Sequence, residues 1–288
     1  MDRTTAATDA ALLGLFAAFA LASLPMLRAA TAPPETLALL LIPAGIGLSR
    51  SAASAGHSWG RATRAGWPVA IAPLVYMGEV AVVPHVPFPR VDAALTRMDV
   101  WLGLHAGHPD WAIGTLAEEV SSLAYLSYYA IPAVAVWVAW RYGSPALARL
   151  SLALALTSLA CGLVWIALPS GGYHLAGGPS GPAFGPATEL TRAIYASHPH
   201  YAAAFPSQHV AHTAATVAVL VRLGHRRLWW AWALAIWAST VYGEFHFALD
   251  GLAGVLVGAA AGFAATSWQP GPHPEPARAP APIPRRPR

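Results

Sequence analysis

Two short stretches in the last third of the chain hold residues that can do chemistry at useful spacings. In Ala204-Phe205-Pro206-Ser207-Gln208-His209-Val210-Ala211-His212-Thr213, Pro206 and Ser207 read as a helix start. Serine is a common N-cap, and proline ends the irregular segment before it. The first turn of such a helix offers backbone N–H groups and the positive end of its dipole, and here it also carries His209. That combination suits an anion such as phosphate. In the second stretch, Ser239 to Gly254, His246 and Asp250 are four apart and would share a helix face. A carboxylate bonded to one imidazole nitrogen fixes the tautomer and raises the basicity of the other, which then serves as nucleophile or base. A lone His-xxx-Asp is a weak pattern, and a lone histidine at a helix end is usually a polar cap. Two such clusters in an apolar chain, where ionisable groups are costly, point to a site.

The elements that position them follow from composition. The chain has 288 residues, 56% hydrophobic and 10% charged, where soluble domains carry roughly a quarter charged residues. Most of it is built to meet lipid. Apolar runs near 10–27, 36–49, 66–83, 119–140, 146–168, 207–222, 227–243 and 249–267 read as eight membrane spans. The second is short and holds Pro43 and Gly45. The expected fold is an all-α polytopic membrane helix bundle. His209 and His246 are separated by two crossings, which return the chain to the same face. Helices of about 16 residues rise ~24 Å, so a tight hairpin at Gly224 would bring their ends level. The two histidines are expected to converge.

All 17 basic residues are arginine, which excludes chemistry that needs a lysine amine. In the eight-span arrangement Arg28, Arg90, Arg97 and Arg192 fall on one side and the other thirteen on the opposite side. This positive-inside bias places both termini in the cytoplasm and the long loops, with the histidines, outside a cell membrane. The net charge of +4 thus reads as topology and not as affinity for nucleic acid. The expected partners are the bilayer and its lipids. The first run reads as a retained anchor; Ala30-Thr31-Ala32 resembles a signal-peptide cleavage site, but Arg3 is the only positive charge of the n-region. Residues 84–118 mix Trp101, Leu102, Leu104 and Trp111 with Asp92, Arg97, Asp99 and Asp110, as an interfacial helix does. Residues 169–206 are rich in Gly and Pro and must lie outside the hydrocarbon or be buried in protein. The Pro- and Arg-rich tail after Trp268 is expected to be disordered. Cys161, the one cysteine, reads as a small buried hydrophobe.

The two stretches resemble signatures of the type-2 phosphatidic acid phosphatase superfamily. Phe205 to His209 looks like Pro-Ser-x-His, and Ser239 to Asp250 looks like Ser-Arg-x5-His-x3-Asp. The resemblance implies a six-helix core over residues 66–267, preceded by extra N-terminal spans in 1–65 and followed by the tail 268–288. It implies that His246 attacks phosphorus to form a phosphohistidine, that Asp250 orients it, and that His209 protonates the leaving oxygen. Ser207, with Gln208 and nearby amides, would hold phosphate oxygens. No cofactor is implied.

Two departures bear on the substrate. The family's Lys-x6-Arg-Pro signature is absent, and Thr240 stands where the third signature has Arg. Those cations neutralise a phosphomonoester dianion, so their loss favours a phosphodiester with one charge. The pattern looks more like the inositol phosphorylceramide synthase (aureobasidin-resistance) branch, whose members transfer a phospho-head-group between lipids. Tyr125-Leu126-Ser127-Tyr128-Tyr129 and Pro169 to His174 fit that branch, with His174 where bacterial members often have Arg. His174 reads equally as a phosphate contact or a loop residue. Arg192 reads as a head-group cation or a surface residue, and Tyr125 and Tyr128 as head-group contacts or interfacial anchors. His212 follows His209 by one turn; a metal needs three or more convergent ligands, so no metal is expected and His212 should pack behind His209. Glu79 reads as a proton or ion site or as a group hydrogen-bonded to a neighbouring helix, and Glu244 as a contact for a substrate hydroxyl or, more simply, an interfacial carboxylate. Met98-Asp99 reads as interfacial packing. Competing functions are a lipid phosphomonoester or pyrophosphate phosphatase, a metal-dependent membrane hydrolase, and a transporter with a His/Glu proton relay.

Overall fold

A computed structural model describes residues 3–29, 31–55, 58–104, 115–172, 184–196, 202–243 and 245–267. The helices are α1 (Arg3–Arg28), α2 (Leu41–Ser54), α3 (Ser58–Val82), α4 (Asp92–Trp101), α5 (Leu116–Leu126), α6 (Ile131–Ala167), α7 (Pro186–Ala196), α8 (Gln208–Arg222), α9 (Trp230–Tyr242) and α10 (Ala248–Ser267). No strand forms among the described residues; one isolated parallel bridge joins Ser170 to Ala203. The chain is an all-α bundle of the polytopic membrane kind. The expected tail 268–288, His174 and Glu244 lie outside the described residues, as do Asp110 and Trp111.

Five stretches are long and apolar enough to cross a membrane: Arg3–Arg28, Pro34–Ser54, Trp59–His85, Leu116–Ala167 and Ala248–Ser267. The fourth has 52 residues and corresponds to two expected spans. It folds at Gly143, whose φ of 77° is open mainly to glycine, with Pro145 just beyond. Tyr128 on one arm and Ser158 on the other both bond His212, so the arms return side by side.

α8 has 15 residues and rises only ~22 Å, less than a hydrocarbon core of about 30 Å. It needs no greater apolar length because it is the centre of the bundle: every residue from Gln208 to Leu220 is buried. It packs on α6, α9 and α10. Its partner face on α10 is a stripe of Gly254, Gly258 and Gly262. A methyl group built on Gly258 would stand 1.9 Å from the Ala211 carbonyl oxygen. Small residues here let two backbones touch, the contact that drives helix association in lipid. The turn between α8 and α9 carries Gly224 at φ 92°, as the hairpin requires. The N-terminal helices are part of the same packing. Leu15 and Phe19 of α1 are fully buried against Gly162 of α6, and α3 runs without a break through residues 65 and 66.

α4 has the character expected of an interfacial helix. Trp101 is 84% exposed, and Met98 and Val100 are also exposed, while Leu95 and Asp99 are buried.

Candidate active site

Two helix starts meet at one end of the bundle. Ser207 N, at the start of α8, donates to the Asp250 carbonyl oxygen in the first turn of α10 at 2.9 Å. The indole of Trp165 fixes the preceding residue by donating to Pro206 O at 3.0 Å.

At α10, Asp250 Oδ2 lies 3.2 Å from His246 Nδ1 and also accepts from Phe247 N at 3.0 Å. The pair does not share a helix face, as the four-residue spacing suggests. His246 lies before α10, in the turn that leaves α9, where Phe245 N and His246 N both donate to Thr240 O. The contact forms because Asp250, in the first turn, reaches back over the helix start, as the acid of a capping box does. Asp99 of α4 completes this start: its carboxylate accepts from Ala248 N at 2.8 Å and Leu249 N at 3.1 Å. Asp99 is therefore not interfacial packing. It is fully buried and caps the helix that carries Asp250.

At α8 the corresponding donors stay open. Ser207 occupies the N-cap position, but its hydroxyl makes no cap bond and is buried without a partner. Among the described residues, the amides of Gln208, His209 and Val210 also meet no acceptor. Buried donors of this kind are normally satisfied, and a helix start in this condition is suited to an anion.

The His209 and His246 rings are 6.4 Å apart between centroids. His209 Nε2 bonds Tyr125 Oη at 3.0 Å, and its Nδ1 is buried without a partner. Tyr76 meets the His209 ring edge-on at 5.9 Å, and Tyr128 packs at 4.5 Å. Phe245 packs on Tyr125 at 5.2 Å, joining the His246 turn to α5. Of the two candidate tyrosines, Tyr125 thus touches the site histidine through its hydroxyl. Tyr128 Oη instead bonds His212 Nδ1 at 3.0 Å. His212 Nε2 meets Ser158 Oγ at 3.0 Å and Gln208 Nε2 at 3.2 Å. His212 is a buried tie behind His209. The Gln208 amide nitrogen is turned toward it, with Oε1 left without a partner. Among the described residues no group of three or more His, Cys, Asp or Glu is arranged to hold a metal ion.

Flanking carboxylates hold the surrounding loops. Asp92 Oδ1 accepts from Ser170 Oγ (2.9 Å), Gly171 N (2.8 Å) and Gly172 N (3.1 Å). Ser170 in turn bonds Ala202 and Ala204 through its backbone, which lays the end of α6 beside the segment entering α8. Glu119 accepts from Ala187 N and Thr188 N, both at 2.9 Å, and so caps α7. Arg192 of α7 forms an ion pair with Glu118 and lines a small cavity with Tyr242 and Phe245. Thr240 is fully buried, and its hydroxyl bonds Trp237 O. Glu79 is 1% exposed, and neither of its oxygens has a hydrogen-bond partner, so the expected bond to a neighbouring helix is not made among the described residues.

A family model described as the PAP2 superfamily matches residues 182–273, which hold α7 to α10 and both chemical stretches. No curated protein and no solved structure gives a significant match. The match supports a likeness to the PAP2 superfamily, a group of phosphatases and phosphotransferases, over this part of the chain.

Proposed function

We propose that the chain transfers or hydrolyses the phospho-head-group of a membrane lipid through a phosphohistidine on His246, at the extracytoplasmic face. The observation that carries this reading is the uncapped start of α8, with Ser207 Oγ and three amides unpaired, beside the His246–Asp250 pair.

In this reading phosphate oxygens bind the α8 amides and Ser207 Oγ. Asp250 accepts a proton bond from His246 Nδ1, which leaves the lone pair on Nε2. That nitrogen attacks phosphorus, the phosphorus–oxygen bond to the leaving group breaks, and His209 protonates the departing oxygen. The centroid separation of 6.4 Å puts both rings within reach of one bound phosphate group, His246 toward the phosphorus and His209 toward the leaving oxygen. Water or a lipid alcohol then attacks, His209 takes its proton, and the bond from phosphorus to Nε2 breaks.

The charge inventory favours a phosphodiester donor, as in the inositol phosphorylceramide synthase-like branch. Thr240 spends its hydroxyl on its own helix, and Arg192 is paired with Glu118. Helix dipole and imidazoles suit one negative charge better than two. The test is purified protein in detergent with labelled lipid phosphomonoesters and phosphodiesters, with and without an alcohol acceptor. Diesters should turn over faster than monoesters, and His246→Ala should lose at least ~1000-fold in turnover while keeping its fold. Full turnover by His246→Ala would show that the nucleophile lies elsewhere. Monoesters turning over faster would assign the site to a phosphatase.

A further inference from the structure

The two histidines of the proposed reaction are provided for differently. His246 has a carboxylate of its own, with Asp250 Oδ2 3.2 Å from its Nδ1. His209 has none in contact: its Nε2 meets the Tyr125 hydroxyl at 3.0 Å, and its Nδ1 is buried without a partner. Yet His209 must hold a proton before the leaving oxygen takes it, and hold one again after the second attack. The ring is buried, and an imidazolium out of water needs a negative charge near it.

The buried acids among the described residues are Asp9, Glu79, Asp99, Glu118 and Asp250. Asp9 is paired with Arg50 and Arg64, and Glu118 with Arg192. Asp99 caps α10, and Asp250 serves His246. Glu79 is the one of these five with neither oxygen partnered. A carboxyl group without a partner is costly in either protonation state, and a leucine would fill the space without that cost.

The surroundings of Glu79 lead to His209. Tyr76 precedes it by three residues in α3 and shares its helix face. The Tyr76 ring meets His209 edge-on at 5.9 Å. Tyr128, in turn, packs on His209 at 4.5 Å and lies within electrostatic range of Glu79, as does Cys161 of α6. Glu79 is thus next to two of the rings that enclose His209. No hydrogen bond joins it to the imidazole, so its influence is that of a charge across a dry interior, where charges are felt strongly.

We propose that Glu79 is a positioning residue for the proton of His209: its carboxylate is the counter-charge that lets the buried imidazole become imidazolium. This role rests on the phosphohistidine reading. In the first step the bond from His246 Nε2 to phosphorus forms, the bond from phosphorus to the leaving oxygen breaks, and the proton passes from His209 to that oxygen. In the second step water or alcohol bonds phosphorus, the bond to Nε2 breaks, and the attacking group's proton passes to His209. Glu79 keeps its charge throughout and touches no reacting atom.

Leaving-group dependence tests this, because a good leaving group departs without the proton. The purified full chain in detergent receives two phosphodiesters with the same lipid chain, one releasing an aliphatic alcohol and the other nitrophenol. Release is followed in a single turnover, which isolates the first step. Glu79→Gln should slow release of the aliphatic alcohol roughly 10- to 100-fold and release of nitrophenol less than about threefold, with half-saturation changed less than about threefold. Glu79→Asp keeps the charge and should restore most of the lost rate. Glu79→Leu should unfold no earlier than wild type and show the same selectivity, and it replaces Glu79→Gln if that variant does not fold. His209→Ala should be selective in the same sense, and adding Glu79→Gln to it should slow release further by less than about threefold. Equal slowing of both esters in a folded Glu79 variant, or slowing of neither, would overturn the proposal. A selective His209→Ala beside an unselective Glu79→Gln would overturn the role of Glu79 alone, whereas full activity of His246→Ala would overturn the phosphohistidine reading itself.

Discussion

The starts of α8 and α10 touch each other, share the same positive dipole character, and are treated in opposite ways. At α10, the carboxylates of Asp99 and Asp250 take up the amides of Phe247, Ala248 and Leu249, and Asp250 N donates to Phe247 O. At α8, the position that normally caps holds a serine whose hydroxyl bonds nothing, and three amides stay unpaired among the described residues. Sealing one start with carboxylates holds His246 and Asp250 in place. Leaving the other open keeps unpaired donors beside them, where the phosphate is proposed to bind. Asp250 belongs to both roles, because the oxygen that caps Phe247 also lies against His246 Nδ1.

Substitutions at the two starts separate the roles. The largest effect is expected at Asp250. Asp250→Asn removes the charge that orients His246 and should lower turnover on the order of 10³- to 10⁴-fold, measured by single-turnover kinetics. Asp99→Ala should act on stability instead. It strips a charged acceptor from two buried amides and should cost about 2–4 kcal/mol of unfolding free energy, with turnover per folded molecule changed by less than roughly tenfold. Ser207→Ala should do the reverse, lowering kcat/KM roughly 10- to 100-fold with stability within about 0.5 kcal/mol of wild type. If Ser207→Ala unfolds as readily as Asp99→Ala, the α8 start is a structural cap and the contrast fails. The smallest effect is expected from Tyr125→Phe, which removes the hydroxyl on His209 Nε2. It should cost about 1 kcal/mol, split between activity and stability, and be visible as a change in the pH profile of kcat.

Much of this arrangement was legible in the sequence, for physical reasons. The expected spans 207–222, 227–243 and 249–267 lie close to α8, α9 and α10, because apolar runs broken by glycine mark helices and turns in lipid. Counting crossings was enough to bring His209 and His246 to one end. The position of His212 behind His209 followed from one helical turn. The supporting carboxylates were not legible. Asp99 is 149 residues from one amide it caps, and Asp92 is 79 residues from Gly171. A backbone amide carries no side-chain identity, so no spacing rule connects such a pair. The His246–Asp250 contact was expected for the wrong geometric reason: the spacing of four is met by a turn and a helix start, not by one helix face. Tyr125 and Tyr128 could not be ranked because both lie within one turn, and only packing decides which hydroxyl reaches His209.

The central claim is that His246 becomes phosphorylated while the open start of α8 holds the phosphate oxygens. Phosphohistidine survives alkali, so the direct measurement is an alkaline quench of enzyme with a phosphorus-labelled lipid phosphodiester, followed by peptide mass spectrometry. Label should appear on His246 in the wild type, fall sharply in Ser207→Ala, and be absent from His246→Ala. Label on another residue, or unlabelled His246 during full turnover, would contradict the account.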